Sequence, residues 1–454
     1  MNATKDEAKD LTTGNYKRQL TALAAPIIGT SFIQMAYVLT DMAWVGRLGN
    51  DSVAAIGVVG VLAWFVTSIG AMTKIGAEVR VAQALGAKDS FKAALTASHS
   101  TSIAIWLAGI MLLAGALFGP KVFALYGLEP RINRMAEGYL YLYLIGLVPY
   151  FLSLALSGCY NAAGHSRIPF KANATGLVLN MLLDPLCIFV FGWGIEGAAL
   201  ATILAETVVC GILLWERRFG KRILSGWKLL VPLRRAETLS VISVGLPVSL
   251  LNCCFSVISF TMGSFAARVG GAVGATVINT GGQIEALSWN TSQGFSTALS
   301  AFVGQNYSAG KKKRIWMGYR YIVFITGIIG LVATLLFVFL GNYIFWLIVP
   351  ETAVMQEGGI YLRISGYTQL FMMAEITAQG LFYGTGNSTI PATVSVVGNI
   401  LRIPMFFLFS SFGWGLRAVW WAVSLSAFLK GATALALLPY LKRKINRAIP
   451  HEAV

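Results

Sequence analysis

Residues 168–194 read IPFKANATGLVLNMLLDPLCIFVFGWG, and residues 390–415 read IPATVSVVGNILRIPMFFLFSSFGWG. Each is apolar for long enough to cross a bilayer core, which takes about 20 helical residues. The two stretches match at an opening Ile-Pro, an internal Asn, a Pro and a closing Phe-Gly-Trp-Gly. The same frame continues outward. Pro26 superimposes on Pro247, Gly49 on Gly270, Gln83 on Gln305, Asn180 on Asn399 and Pro185 on Pro404, all at shifts of 219 to 222 residues. One shift that holds along the whole chain marks an internal duplication.

Composition sets the solvent. Of 454 residues, 56% are apolar and 12% charged, with a mean hydropathy of +0.69; soluble domains carry about 25% charged residues. Apolar stretches of spanning length fall near 22–44, 53–79, 97–118, 138–162, 169–192 and 196–216, then near 238–264, 275–300, 319–341, 359–384, 391–411 and 416–439. These predict an all-α integral membrane fold of twelve transmembrane helices in two six-helix bundles. Six spans per repeat is an even number, so both halves start on the same side. They are then related by a pseudo-two-fold axis along the membrane normal. The expected organisation is an N-terminal tail (1–18), an N-lobe (19–216), a basic linker (217–237), a C-lobe (238–440) and a C-terminal tail (441–454). In such a plan the substrate cavity is expected between the bundles, with access alternating as they rock.

The formal charge of +16 does not signal nucleic acid, because the Lys and Arg gather in short runs between apolar segments. Lys5, Lys9, Lys17 and Arg18, Lys88 and Lys92, Arg167 and Lys171, the linker with Lys221 and Arg222, Lys311 to Arg314 and Lys442 to Lys444 fall in alternate loops. By the positive-inside bias, both termini are expected in the cytoplasm of a cell inner (plasma) membrane. The first apolar segment is longer than a signal-peptide core and is read as a retained span. Cys159, Cys187, Cys210, Cys253 and Cys254 lie in apolar stretches without metal-ligand spacing and read as packing residues, and His99, His165 and His451 are too scattered for a metal cluster.

Charges within the spans carry the functional reading, since an Asp at mid-bilayer costs at least about 2.5 to 3.5 kcal/mol. Asp41 ends the first span, and Asp184 lies one helical turn after Asn180 in the fifth. Traced along the chain, Asp41, Asp184, Tyr139 and Thr202 share one depth. Two carboxyls, an amide oxygen and hydroxyls form a hard, oxygen-only set, suited to sodium (at Asp41, Asn180, Asp184 and Thr202) or to a proton shared between acids. The competing reading is a pair of helix-end acids facing water. The duplication favours coupling, because the positions matching Asp41 and Asp184 are Met262 and Ile403, so the pair belongs to one half only.

Elsewhere, Glu206 lies one turn beyond Thr202 and extends this network, while Lys74 and Glu78 are expected to pair. In the second half Glu285, Glu375 and Arg402 read either as a Glu–Arg402 ion pair or as a second ion or cationic-substrate site. Pro26 and Pro247 begin equivalent spans and are hinges or static kinks.

There is no Walker A sequence, H-E-x-x-H or nucleophile elbow. The energy for transport must therefore come from an ion gradient. Pro26 with Thr40-Asp41 and Gly46-Arg47-Leu48-Gly49, then Ala82 to Ala87, Asn180 to Pro185, Gln283 to Leu287 and Val303 to Asn306 together resemble the multidrug and toxic compound extrusion (MATE) family over essentially the whole chain. Within it the pattern is similar to the DinF-like branch. That resemblance implies a cluster matching Asp41, Tyr139, Asn180, Asp184 and Thr202 that handles the coupling cation, proton or sodium. The seventh-span acid of the NorM-like branch has no match around Val248 to Met262.

The expectation is a secondary multidrug exporter, not an enzyme, with no cofactor. It would antiport amphipathic or cationic organic compounds as a monomer. A flippase of lipid-linked oligosaccharides, using Arg402 and Lys430, and a polytopic membrane enzyme are the alternatives.

Overall fold

A computed structural model describes residues 8–124, 129–220 and 223–449. Lys5, Lys221, Arg222 and His451, singled out in the sequence, lie outside the described residues. All regular structure among the described residues is helical. The first repeat contains α1 (Tyr16–Val45), α2 (Asn50–Gly86), α3 (Ser90–Ala124), α4 (Pro130–Ile145), α5 (Leu147–Ala162), α6 (Arg167–Pro185) and α7 (Gly194–Phe219). The second contains α8 (Arg235–Ser308), α9 (Lys312–Ile348), α10 (Thr352–Gly366), α11 (Gln369–Gly384), α12 (Thr389–Ile400), α13 (Arg402–Ser411), α14 (Leu416–Ala436) and α15 (Leu438–Ala448).

Among the described residues nine helical segments are long and apolar enough to cross a membrane, and α4 with α5, bent by 45°, makes a tenth. Helix α8 counts twice. A straight helix of its 74 residues would reach about 110 Å at 1.5 Å per residue, far beyond any bilayer. Gly271, at φ +57 and ψ −143, breaks it in a conformation open essentially to glycine alone. The arms turn back on each other there, since a Cβ on Gly274 would lie 2.2 Å from the Ala266 carbonyl oxygen. The pair α10 and α11 repeats α4 and α5 and completes twelve spans.

The chain divides into two compact units. One holds Ala25–Ser249 with the segment ending at Leu11; the other holds Thr12–Ala24 with Leu250–Val454. The boundaries differ from the 217–237 linker read from the sequence, because each repeat gives its opening residues to the unit built from the other. The start of α8 packs in the first unit. There Arg80 Nε donates to the Ser240 carbonyl at 3.0 Å, Ser249 Oγ donates to the Ser68 carbonyl at 2.7 Å, and Gly245 lets the backbone of Met72 approach. Thr12–Ala24 belong to the second unit because the Arg314 guanidinium donates to the carbonyls of Gly14 and Thr13 and to Gln19 Oε1, and Tyr16 packs edge-on against Tyr321. The proposed tails also shorten, since α1 begins at Tyr16 and α15 runs through the basic run to Ala448.

Helices in lipid gain their stability from close packing of small residues. A Cβ on Gly158 would lie 2.3 Å from the Lys74 carbonyl oxygen, and one on Gly380 would lie 2.4 Å from the Ser296 carbonyl oxygen. Both members of the second contact sit 222 residues beyond those of the first. The duplication thus survives as a duplicated backbone contact, between α2 and α5 and again between α8 and α11.

Candidate functional site

The buried face of α6 is Pro169, Ala172, Gly176, Asn180 and Asp184, a spacing of three or four residues that places them in one row. Its small members let α7 and α1 approach. A Cβ on Gly176 would meet Val209 at 2.4 Å and the Tyr37 hydroxyl at 2.8 Å. The row therefore carries Asn180 and Asp184 into the interior, where both are fully buried. Beyond them Pro185 supplies no N–H, and the helix widens into one π-turn over Leu186–Val190, a distortion common at functional sites.

Asn180 Nδ2 donates to Asp184 Oδ1 at 3.1 Å and reaches Thr202 Oγ1 on α7 at 3.5 Å. Thr202 Oγ1 donates to the Ala198 carbonyl at 3.1 Å and lies 3.5 Å from Asp41 Oδ2 on α1. The Asp41 and Asp184 carboxyls are near enough to interact with one another. Two carboxyls cannot hydrogen-bond unless a proton sits between them, and otherwise a cation must offset their repulsion.

What remains open is the informative part. Tyr37 Oη, Asp41 Oδ1, Asn180 Oδ1 and Asp184 Oδ2 are buried without a hydrogen-bond partner. Leaving such an atom unmade costs about 1–3 kcal/mol, and more for a charged group. Asp41, Asn180 and Asp184 are joined through Thr202 and Tyr37 lies within electrostatic range of both acids, an oxygen set that a small hard cation or a proton suits.

Tyr139, on α4, lies within electrostatic range of both acids but makes no hydrogen bond to either among the described residues. Glu206, one turn beyond Thr202, lies within electrostatic range of Tyr37, as the two acids do, and of Tyr143 and Tyr150. Lys74 and Glu78 attract each other one turn apart on α2, and Glu78 also meets Asn161. Tyr37 was missed as a site residue by the sequence reading, although it stands four residues before Asp41, on the same helix face.

In the second unit one acid, Glu375, is ion-paired, and the other, Glu285, has Oε1 buried without a hydrogen-bond partner. Glu375 on α11 pairs with Lys430 Nζ on α14 at 3.4 Å, not with Arg402. Gly398 is the reason, since its missing side chain leaves room for the Lys430 stem 2.2 Å from where a Cβ would be. Ser395 Oγ and Gln379 Nε2 donate to Glu375 Oε1 at 2.5 and 3.2 Å. Arg402 Nε donates to Ser426 Oγ at 2.8 Å, lies over the Phe255 ring and attracts Glu285. Glu375 thus has a base against it, whereas among the described residues no basic side chain touches Asp41 or Asp184.

One family model, MatE, matches the chain twice, over residues 26–186 and again over 247–408. The chain belongs to the MatE family. The two matches begin 221 residues apart, the same frame that relates Pro26 to Pro247. MatE proteins are transporters and not enzymes. The chain is 27% identical over 442 residues to a probable multidrug resistance protein, NorM, of Thermotoga maritima, covering 94% of this chain and 93% of that protein. A probable multidrug resistance protein of Bacillus subtilis, YpnP, is 24% identical over 450 residues, with 96% and 97% covered. The crystal structure of a MATE protein in complex with MaL6 shows the same fold, with a TM-score of 0.92 at 22% identity over 98% of this chain and 100% of that one.

Proposed function

We propose that this MatE chain is a secondary multidrug exporter of the DinF-like kind, with Asp41 and Asp184 as its coupling acids. Amphipathic or cationic organic compounds leave the cytoplasm across the inner membrane as protons or sodium ions enter, through a single chain with both termini inside. The observation that carries this reading is the set of partnerless buried oxygens on Tyr37, Asp41, Asn180 and Asp184, with no base beside the acids among the described residues. The relatives named for multidrug resistance support the export half of it.

Mechanism follows from the same contacts. A cation arriving from outside binds between the two acids, and α1 and α6 are drawn together because each supplies one. Its departure inward lets them separate. Access to the substrate path alternates as the two units move. Substrate and cation must then disfavour one another by reciprocal linkage. Lys430 is paired with Glu375, which takes one of the two basic charges away from a pyrophosphate-bearing lipid.

Efflux of a fluorescent cationic dye from cells expressing wild type, Asp41→Asn or Asp184→Asn, with sodium present or replaced by potassium, tests the proposal. Both variants should reach the membrane and fail to pump, and the sodium arm names the ion. Normal pumping by either variant refutes the assignment.

A further inference from the structure

The chain leaves α7 through Arg217 and Arg218 and folds back over 223–231. Arg217 Nη1 donates to the Trp227 carbonyl at 2.7 Å. The returning strand of loop is braced on α3: Lys228 N–H donates to Ser98 Oγ at 2.8 Å, Thr101 Oγ1 donates to the Leu229 carbonyl at 2.9 Å, and Val231 N–H donates to Ser102 Oγ at 2.8 Å. Beside this braced loop is a cavity of about 510 Å³, lined among others by Arg217, Arg218, Lys228, Trp227 and Tyr160.

The lining carries three cations and no acid among the described residues. Neither Arg218 nor Lys228 is in an ion pair among them. Arg217 Nε and Trp227 Nε1 are buried donors without acceptors. The Tyr160 hydroxyl is already committed to the Leu213 carbonyl, so its ring serves as a wall, edge-on to Trp227. The spare capacity is therefore donor groups, three of them cationic and one the neutral Trp227 indole, which calls for an anion with several acceptor oxygens.

The surroundings give its depth. Trp215 and Phe219 pack with ring centres 4.5 Å apart, tilted by 44°, and are 65% and 64% exposed, and Leu230 is 58% exposed. Aromatic and apolar side chains turned outward at a helix end mark the membrane–water boundary, where lipid phosphates lie. Basic pockets at that level between spans hold acidic headgroups.

We propose that the cavity binds a phosphate-bearing anion, and that an acidic lipid headgroup is the form its setting favours. The ligand would join the end of α7 to the loop that leads into the second repeat.

Thermal unfolding of the purified, delipidated full chain tests this, with phosphatidylglycerol, phosphatidylcholine or inorganic phosphate added. In wild type and in the control Lys442→Glu, phosphatidylglycerol should raise the midpoint well above phosphatidylcholine. Arg218→Glu/Lys228→Glu should abolish that difference. These side chains are exposed and the loop is held by the Lys228 backbone, and Arg218→Gln/Lys228→Gln serves if the charge reversal prevents folding. Protection by inorganic phosphate that the same variants abolish would support the site and identify its occupant as a soluble anion. Equal protection of wild type and variants, or none of wild type, would overturn the proposal.

Discussion

The same chemical change should have opposite effects on stability in the two units. Asp184→Asn keeps the shape of the side chain and the acceptor that Asn180 reaches at 3.1 Å. It replaces the partnerless Oδ2 with an NH2 that can donate to Asp41. Relief of one buried orphan acceptor and a new bond to a charged group amount to about 1–3 kcal/mol. Glu375→Gln does the reverse. It removes the charge facing Lys430 at 3.4 Å and leaves a buried ammonium unpaired, a loss of about 3–5 kcal/mol.

At roughly 2–4 °C per kcal/mol for domains of comparable size, Asp184→Asn should raise the unfolding midpoint by several degrees and Glu375→Gln should lower it by about 6–20 °C. The assay is tryptophan fluorescence against temperature, in detergent at neutral pH without sodium. A fall for Asp184→Asn as large as that for Glu375→Gln would mean that Asp184 is a structural anchor, and the cation-site argument from unpartnered oxygens would fail. A stability gain at the cost of transport is the usual signature of a functional site.

The remaining expectations follow from single contacts. Lys430→Met should destabilise by about 3–5 kcal/mol through the uncompensated Glu375, and adding Glu375→Gln should recover most of it; a double-mutant cycle in the same assay shows whether the two are coupled. Tyr37→Phe should fold normally and raise the cation concentration for half-maximal efflux about tenfold, the equivalent of one hydrogen-bond-sized contact; an unchanged concentration places Tyr37 away from the ion. Gly158→Val and Gly380→Val should each prevent recovery of monodisperse protein, because the clashing atoms at 2.3 and 2.4 Å are backbone, whereas Gly109→Ala, with nothing within 4 Å, should behave as wild type on size-exclusion chromatography.

The spans and the duplication were legible because hydropathy and repetition are properties of consecutive residues. The helices run past the apolar limits in both directions, α2 to Gly86 and α9 from Lys312, since amphipathic helix ends need no lipid. Asp41, Asn180, Asp184 and Thr202 could be grouped from chain direction and depth, which fix height in the membrane but not rotation about a helix axis. Tyr139 was grouped by height and makes no hydrogen bond to the acids among the described residues; Tyr37 stands one helical turn before Asp41, where the i to i+4 rule would have placed it on the same face. The partner of Glu375 depended on the bare face of Gly398, a matter of packing between α12 and α14. Nor could the sequence show that the repeats exchange their opening segments, for the 217–235 stretch has every mark of a linker.

That exchange bears on how the protein can be cut. Cleavage or separate expression at the basic stretch would leave the first fragment with Thr12–Ala24 and no Arg314 to hold it, and without the start of α8 that braces α2. The second fragment would carry Arg235–Ser249 as an exposed helical arm. A piece that is self-contained in space would have to be assembled from two separate runs of sequence. Truncations meant to isolate one repeat should therefore be designed on the crossed boundaries, with the borrowed helix end grafted on, and not on the linker.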